Sequence, residues 1–165
     1  MRFALFVLAM FAIPAGAQLS CSEPLQAPED DVEILTQAVE AVLSQILPEG
    51  TFAIQPRFFG EEAGIQPEQV LVDVASRVGV TEFVNYNEAV TCPGLPNTCR
   101  LAIRGSAVVA VERPVVEDGT ARVVIHMTYR SNSQRQPVTG YSVEVSLLRQ
   151  NEGWTVTDIK GIRIT

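Results

Sequence analysis

Side chains able to carry out acid–base or nucleophilic chemistry are scarce in this sequence. His126 is the single histidine, which excludes a histidine-rich metal site. The motifs H-E-x-x-H, G-x-G-x-x-G and G-x-S-x-G are missing, and so is the Walker loop. A Ser-His-Asp triad on His126 stays formally open, but no motif positions a serine for it. The sequence therefore predicts no catalytic residue, no metal and no cofactor, and it favours a protein without enzymatic activity.

The alternation of one strand decides which way His126 points. The run Ala121–Arg130 is rich in β-branched residues and follows Asp118-Gly119, a strong type I′ hairpin turn. Successive side chains of a strand point to opposite faces. His126 falls on the face with nearly all the polar residues, so we expect it on the solvent side of the sheet. The apolar face carries Val123, Ile125, Met127 and Tyr129.

Glu112 is the one acidic group that the same pattern directs to the apolar face. A two-residue turn at Asp118-Gly119 would pair Glu112 with Ile125 and Val111 with His126. A carboxyl group buried there would have a raised pKa and could act as a general base. Two other interpretations stay open: a bulge near the following proline that turns the side chain outward, or an ion pair with a neighbouring arginine.

These assignments predict where a ligand would bind. We expect a site on the apolar face with Glu112 as its acidic group, because pockets are apolar cavities with few polar groups. The lining side chains would be Ile125, Met127 and Tyr129, with Val108 from the neighbouring strand. The expected ligand is a small apolar molecule, and the alternative partner is another protein of the cell envelope.

The N-terminus carries the features of a cleavable secretory signal over residues 1–17. Arg2 is followed by an apolar run, Phe3–Ile13, that is too short to span a bilayer, and then by the small-residue site Ala15-Gly16-Ala17. We expect cleavage after Ala17 and export to the periplasm or the extracellular space. Cys21 lies close to this site, so lipid attachment through Cys21 is the alternative.

Export determines how the other cysteines are interpreted. Cys92 and Cys99 flank a short loop rich in turn-forming residues, and an oxidising compartment favours their pairing. The spacing misses the C-x-x-C pattern of redox sites, and the sequence lacks a second Cys/His pair for zinc. We therefore predict a structural disulfide between them, which leaves Cys21 as the odd cysteine.

Two helical patterns precede a series of strands. After a flexible leader over residues 18–30, apolar residues recur at helical spacing over residues 31–47 and again over residues 67–79. Pro56 interrupts the apolar stretch around it, which we therefore expect to be an edge strand or an extended segment. The β-branched runs near the C-terminus form antiparallel hairpins. This order predicts one α+β domain over residues 31–165, with two helices packed on a curved antiparallel sheet of about four to five strands.

The closing hairpin resembles that of a known superfamily. The segments Val143–Arg149 and Gly153–Ile159 carry a glycine-tryptophan turn and follow two helices, as in nuclear transport factor 2-like proteins. That superfamily includes polyketide cyclases and ketosteroid isomerase. The resemblance implies a strongly curved sheet and a cone-shaped pocket, but no particular reaction, because the fold hosts enzymes, ligand binders and interaction modules. It adds an alternative function, an isomerase-type or cyclase-type enzyme with a pocket carboxylate. We expect Trp154 itself to be a packing anchor.

The formal net charge of −7 bears on the choice of partner. An acidic surface repels phosphate backbones and anionic membranes, so nucleic acid is not an expected partner. After the signal, no apolar run reaches the length of a membrane helix. We therefore expect an exported domain that binds a small ligand or another protein. The alternative, a lipid-anchored component of the cell envelope, depends wholly on lipid attachment at Cys21.

Overall fold

The structure is a computed structural model that describes residues 29–46, 51–61, 66–91, 100–103, 106–130, 138–151 and 153–162. The helices in these stretches are α1 (Glu29–Ile46), α2 (Gln69–Arg77) and α3 (Tyr86–Ala89). The strands are β1 (Phe52–Ile54), β2 (Val90–Thr91), β3 (Arg100–Leu101), β4 (Ala107–Val111), β5 (Val115–Glu117), β6 (Thr120–Arg130), β7 (Val138–Gln150) and β8 (Gly153–Ile162). The predicted class, α+β with a mostly antiparallel sheet, is confirmed.

Helix α1 forms because its apolar residues recur on one side and its first turn is acidic. Glu29, Asp30 and Asp31 lie at the positive end of the helix dipole, where carboxylates are stabilising. The buried side of the helix carries Val32, Leu35, Val39 and Val42. Helix α1 lies across β6, β7 and β8, and α2 packs against α1. The short helix α3 adds a third helix that the sequence patterns did not indicate.

The main sheet has six strands, more than the four to five expected. The order of its hydrogen-bonded strands is β1-β4-β6-β7-β8. Strand β5 is not in this series; it pairs with β6 along the same edge as β4 does. Strand β1 runs parallel to β4 at the edge of the sheet, and every other pair in this sheet is antiparallel. The edge position of β1 agrees with the prediction from Pro56, because proline cannot donate to a central ladder. Strands β2 and β3 form a separate two-stranded sheet.

The predicted pairing of β4 with β6 is wrong by one residue. Asp118 and Gly119 have φ angles of 47° and 75°, as a type I′ turn requires. Next to this turn, β5 keeps the predicted register with β6. Farther along, Val111 pairs with Ile125, and not with His126 as predicted. The turn type was predicted correctly, but it fixes the register of β6 only with β5 and not with β4.

The shift in register arises where β4 passes into β5. Residues 112–114 of this connection lie opposite only residues 123–124 of β6, so one side has an extra residue. Pro114 has no N–H to give to the ladder, which favours an interruption at this point. As a result Glu112 points to the face opposite that of Ile125. This outcome matches the bulge that the sequence left open.

The main core lies between α1 and the face of the sheet that carries Ile125 and Met127, called the helix face below. Both side chains are at most 1% exposed, and Phe58 from the segment after β1 packs in the same cluster. Trp154 is also buried there, which confirms its role as a packing anchor. Its backbone N–H donates to Oε1 of Glu33 at 2.9 Å and so connects β8 to α1. Buried apolar side chains of α1 and of the helix face pack against one another in this core.

Three predictions fall on residues outside the described part of the chain: the signal over residues 1–17, the role of Cys21, and the disulfide between Cys92 and Cys99. They stay predictions. Among the helices that the structure describes, none has the length and apolar character needed to cross a bilayer.

Candidate functional site

The face of the sheet opposite the helix face carries His126 and Thr128 of β6 and Ser142 of β7, and it is called the histidine face below. A further layer covers part of it, to which α3 contributes Tyr86 and the segment after β1 contributes Phe59. A smaller apolar cluster extends this layer, and its buried members are Ala53, Ala89, Leu101, Ile103 and Val108. The sheet is therefore covered on both faces at this end, and polar side chains of the histidine face lie in a buried environment.

His126 is buried, which corrects the prediction of a solvent-side histidine. The residue is 7% exposed. Its Nε2 lies 2.8 Å from Oε1 of Glu112, and its Nδ1 lies 2.7 Å from Oγ of Ser142. The imidazole stacks on the ring of Phe59, with the two centroids 3.8 Å apart and the planes 28° from parallel. Strand alternation identified the correct face, but it could not reveal the covering layer, which comes from residues distant in the sequence.

Glu112, His126 and Ser142 form a hydrogen-bonded chain from the surface to the interior. The side chain of Glu112 is 43% exposed, whereas Ser142 is 1% exposed. An ionised carboxylate only accepts hydrogen bonds, so a neutral His126 carries its proton on Nε2 and accepts at Nδ1 from the hydroxyl of Ser142. The two partners therefore hold the imidazole in one orientation and one tautomer.

These three groups have the composition of a nucleophilic triad but not its accessibility. A nucleophilic serine must be within reach of the substrate, with the histidine beside it and the acid behind the histidine. In this protein Ser142 is the buried end of the chain and Glu112 is the exposed end. The arrangement can orient His126 and hold a proton, but the hydroxyl of Ser142 cannot attack a substrate in this conformation.

The structure does not bring together the residues predicted for the ligand site. Ile125 and Met127 are buried on the helix face, and Tyr129 is half-buried beside the same core. Glu112 lies on the histidine face, and Val108 belongs to the smaller apolar cluster. The one-residue shift between β4 and β6 therefore divides the predicted set between the two faces.

A pocket lies in the layer that covers the histidine face. Its volume is about 480 Å³, and two segments line it: residues 55–57 and 59–61 of the first, and residues 85, 87 and 88 of the second. It is called the Arg57 pocket below. Gln55 connects the two segments, because its Nε2 donates to the carbonyl of Arg57 at 2.9 Å and its Oε1 accepts from the backbone N–H of Tyr86 at 3.3 Å. The side chain of Gln55 therefore holds the two segments of the pocket next to each other.

Phe59 connects the Arg57 pocket to the sheet beneath it. One side of its ring stacks on His126, and Tyr86 meets the ring edge to face, with centroids 5.6 Å apart and planes at 87°. The hydroxyl of Tyr86 is hydrogen-bonded to that of Thr128 on β6. Aromatic pairs of this geometry are stabilising beyond the area that they bury. His126 and Tyr86 therefore hold the Phe59 ring in position, and Thr128 in turn holds Tyr86.

The Arg57 pocket contains charged groups that the protein does not pair. Nε of Arg57 is buried and has no hydrogen-bond partner among the residues that the structure describes. Leaving a buried donor unpaired costs about 1–3 kcal/mol. Glu88 is exposed and makes no ion pair within the described ranges, whereas Glu61 is bound by Arg113. Arg57 and Glu88 are thus the two charges available to a ligand.

Arg113 stabilises the wall of the pocket that Glu61 contributes. Its Nε lies 2.6 Å from Oε1 of Glu61, its Nη2 lies 3.1 Å from Oε2 of Glu68, and its guanidinium lies 4.2 Å from the ring centroid of Phe58. The hydrogen bond from Arg113 lowers the pKa of Glu61. Burial, together with a hydrogen bond to Glu61, raises the pKa of Glu68. Arg113 therefore favours the ionised form of Glu61, whereas burial and the hydrogen bond to Glu61 favour the protonated form of Glu68.

The opposite pKa shifts predict opposite effects of two matched substitutions. The stabilisation from ionised Glu61 is present above its ordinary pKa of 4.5 and is lost as the pH falls through its lowered folded-state pKa. The contribution of Glu68 has the other sign: it is present at acid pH and is lost as the pH rises through the raised pKa. We expect Glu61→Gln to lower the free energy of unfolding at pH 7 by up to about 1 kcal/mol, because the pair is exposed.

Glu68→Gln is the control, and we expect it to cause no loss or a small gain at pH 7. Urea unfolding at pH 7 and at pH 3 measures both variants. The difference between Glu61→Gln and the parent protein should be smaller at pH 3 than at pH 7, because the stabilisation from ionised Glu61 is lost as the pH falls through its lowered folded-state pKa. A larger loss for Glu68→Gln than for Glu61→Gln at pH 7 would contradict this assignment.

Sequence reasoning missed the Arg57 pocket. Residues 55–61 have no apolar period, and Pro56 was interpreted only as the mark of an edge strand. The available signal was a charged residue, Arg57, between a proline and two phenylalanines, with the polar stretch 85–88 downstream. Nothing in either segment indicates that the two segments meet.

No protein-family model, no curated protein and no solved structure matches this chain. Within the described residues, no group of three or more His, Cys, Asp or Glu side chains could hold a metal ion. The function is therefore inferred from the geometry of the Arg57 pocket and of the histidine face.

Proposed function

We propose that this chain is an exported domain without catalytic activity that binds a small molecule in the Arg57 pocket. The observation that carries the proposal is Arg57, which lines a pocket of about 480 Å³, makes no ion pair in the described part of the chain, and has a buried Nε without a hydrogen-bond partner there. Pockets of about 300–1,000 Å³ hold small organic molecules. A ligand carboxylate would form a charge-assisted hydrogen bond with the guanidinium of Arg57.

The fixed walls of the pocket support a binding role. Gln55 ties the two lining segments together, and Phe59 is held between His126 and Tyr86. A site whose side chains are already ordered loses less conformational entropy when a ligand binds. The hydrogen bonds of His126 to Glu112 and Ser142 extend this support into the sheet. We therefore interpret His126 as a residue that positions the pocket through Phe59.

Two observations favour binding over catalysis. Ser142 is buried, so it is not placed as a nucleophile. Glu112, the pocket carboxylate of the isomerase or cyclase alternative, pairs with His126 and does not line the Arg57 pocket. A carboxyl group that serves as a general base needs an environment matched to that task and a substrate within reach of it.

We also propose that the chain belongs with the nuclear transport factor 2-like proteins, as two helices packed on a curved antiparallel sheet. Support comes from the order of α1 and α2 before the long strands and from the closing hairpin of β7 and β8 with Trp154 after its turn. The ligand site would then lie on the histidine face, because a cluster of buried apolar side chains lies beneath α1.

Export is proposed from the signal over residues 1–17, and the alternative is lipid attachment. Cleavage after Ala17 would make Gln18 the first residue of a soluble protein, whereas attachment would place an acylated Cys21 first. Either form leaves the Arg57 pocket intact, so the binding proposal depends on neither.

We expect Arg57→Met to abolish or strongly weaken ligand binding by the exported protein. The test screens small organic acids, amines, amino acids and sugars by thermal shift and then measures the affinity of each hit. Since charge-assisted hydrogen bonds contribute about 1.5–3 kcal/mol, the loss of affinity for a bound acid or amino acid should be about tenfold to a hundredfold.

Arg77→Met is the matched control, because Arg77 is exposed in the last turn of α2 and does not line the pocket. We expect it to bind like the parent protein. A screen with no hit, or hits whose affinity is the same in Arg57→Met and Arg77→Met, would overturn the proposed function.

A further inference from the structure

We infer that the ligand of the Arg57 pocket is a zwitterion of the amino-acid type, with a carboxylate at Arg57, an ammonium group at Glu88 and an apolar side chain against Phe59. The inference rests on the proposed function and deepens it, since it names the chemical class of the ligand. It is argued from the charges, the ring and the volume of the pocket.

The pocket presents one free charge of each sign. Arg57 and Glu88 belong to different lining segments and make no ion pair with each other or with another described residue. Glu61 also lines the pocket, but its carboxylate already accepts a hydrogen bond from Nε of Arg113 at 2.6 Å. Arg57 contributes a further coulombic effect that lowers the pKa of Glu61, although the two make no ion pair. The groups left to a ligand are thus a guanidinium and a carboxylate.

A ligand with a single charge would leave one of these groups without a partner. An anion would pair Arg57 but would meet the repulsion of Glu88 and of a protein with a formal net charge of −7. A cation would pair Glu88 but would leave the buried Nε of Arg57 unsatisfied. A neutral polyol would pair neither charge fully. A zwitterion pairs both, because its carboxylate and ammonium groups lie close together on one carbon.

The Phe59 ring indicates the kind of side chain that the ligand has. His126 occupies one side of this ring and Tyr86 lies against it, yet Phe59 is only half-buried and still lines the pocket. An apolar or aromatic side chain of the ligand would bury that remaining surface. The volume of about 480 Å³ is near the lower end of the range for small-molecule pockets. It suits a free amino acid better than a long peptide.

The test compares L-phenylalanine with analogues that lack one charge. Titration calorimetry measures the affinity of the exported protein for L-phenylalanine, for 3-phenylpropionate, which has no ammonium group, and for 2-phenylethylamine, which has no carboxylate. We expect L-phenylalanine to bind at least about tenfold more tightly than either analogue, since each lacks one charge-assisted hydrogen bond.

Two variants test which group of the ligand each charged residue binds. Arg57→Met should weaken binding of L-phenylalanine and 3-phenylpropionate and leave 2-phenylethylamine unaffected, and Glu88→Gln should show the reverse selectivity for the analogues. The matched controls are Arg77→Met and Glu117→Gln, which change exposed residues away from the pocket. Circular dichroism verifies that each variant is folded. Arg57→Gln, which removes the charge but keeps a polar side chain, replaces Arg57→Met if that variant does not fold.

The outcomes separate this inference from the proposed function. If a single-charge analogue binds as tightly as L-phenylalanine and Arg57→Met weakens it, the pocket is a binding site but the ligand is not a zwitterion. If Glu88→Gln has no effect on L-phenylalanine, the assignment of the ammonium group is wrong. If no compound responds to Arg57→Met, the proposed function fails together with the inference.

Discussion

Replacing His126 with alanine is expected to lower the free energy of unfolding by about 3 kcal/mol. The substitution removes a ring that is stacked on Phe59 at 3.8 Å, and it leaves a cavity between the sheet and the layer above it. It also removes the hydrogen-bond partner of the buried hydroxyl of Ser142, which costs about 1–3 kcal/mol when unpaired. Urea unfolding at pH 7 measures the loss.

Glu112→Gln is the matched control for this prediction. The amide oxygen of glutamine can still accept from Nε2 of His126, and the side chain at this position is 43% exposed. We therefore expect a loss of about 1 kcal/mol or less. If His126→Ala costs no more than Glu112→Gln, then His126 behaves as the solvent-side residue that strand alternation indicates, and its burial under Phe59 is wrong.

Phe58→Ala is expected to lower the free energy of unfolding by about 3–5 kcal/mol, since a fully buried phenylalanine is replaced by a methyl group. Phe58 is 1% exposed, packs in the core under α1 and lies beneath the guanidinium of Arg113. The adjacent residue, Phe59, faces the other way and stacks on His126. The segment after β1 is therefore attached to both faces of the sheet, and Phe58 is its attachment to the helix face.

Phe52→Ala serves as the comparison, because Phe52 is half-buried on β1 at the sheet edge. We expect its loss to be less than half that of Phe58→Ala, in proportion to the smaller apolar area that it buries. Urea unfolding at pH 7 measures the loss in free energy of unfolding for both variants. Equal losses would mean that the segment after β1 is not anchored through Phe58.

The backbone explains why neighbouring phenylalanines point to opposite faces. After β1 ends, the chain continues beside β4, with the N–H of Gln55 donating to the carbonyl of Val109 at 2.8 Å and the N–H of Phe59 donating to that of Val111 at 2.7 Å. Residues 56 and 57 form a bend and Phe59 begins a turn, so the chain advances four residues from Gln55 to Phe59 while β4 advances only two, from Val109 to Val111. Within this irregular segment Phe58 packs in the core of the helix face, whereas Phe59 stacks on His126. The proline at position 56 did not end the pairing with β4, although it marked the end of the regular strand.

Local patterns predicted much of the fold from particular residues. Asp118-Gly119 adopts the positive φ angles of its turn, α1 and α2 lie within two residues of their predicted ranges, and Trp154 is the expected anchor. Local patterns predicted less of the candidate site. Glu112 was identified as an unusual residue, but its partner, His126, was placed in solvent, and Arg57 was not identified at all.

The sequence by itself determined the α+β order, the helix ranges and the hairpin turn, because these depend on residues only a few positions apart. The tertiary structure alone decided the shift at Pro114, the burial of His126 and the joining of the two pocket segments. Each of these requires contacts between distant parts of the chain, such as that of Gln55 with Tyr86, which are 31 residues apart. Periodicity shows which face a side chain occupies, but only packing shows what covers that face.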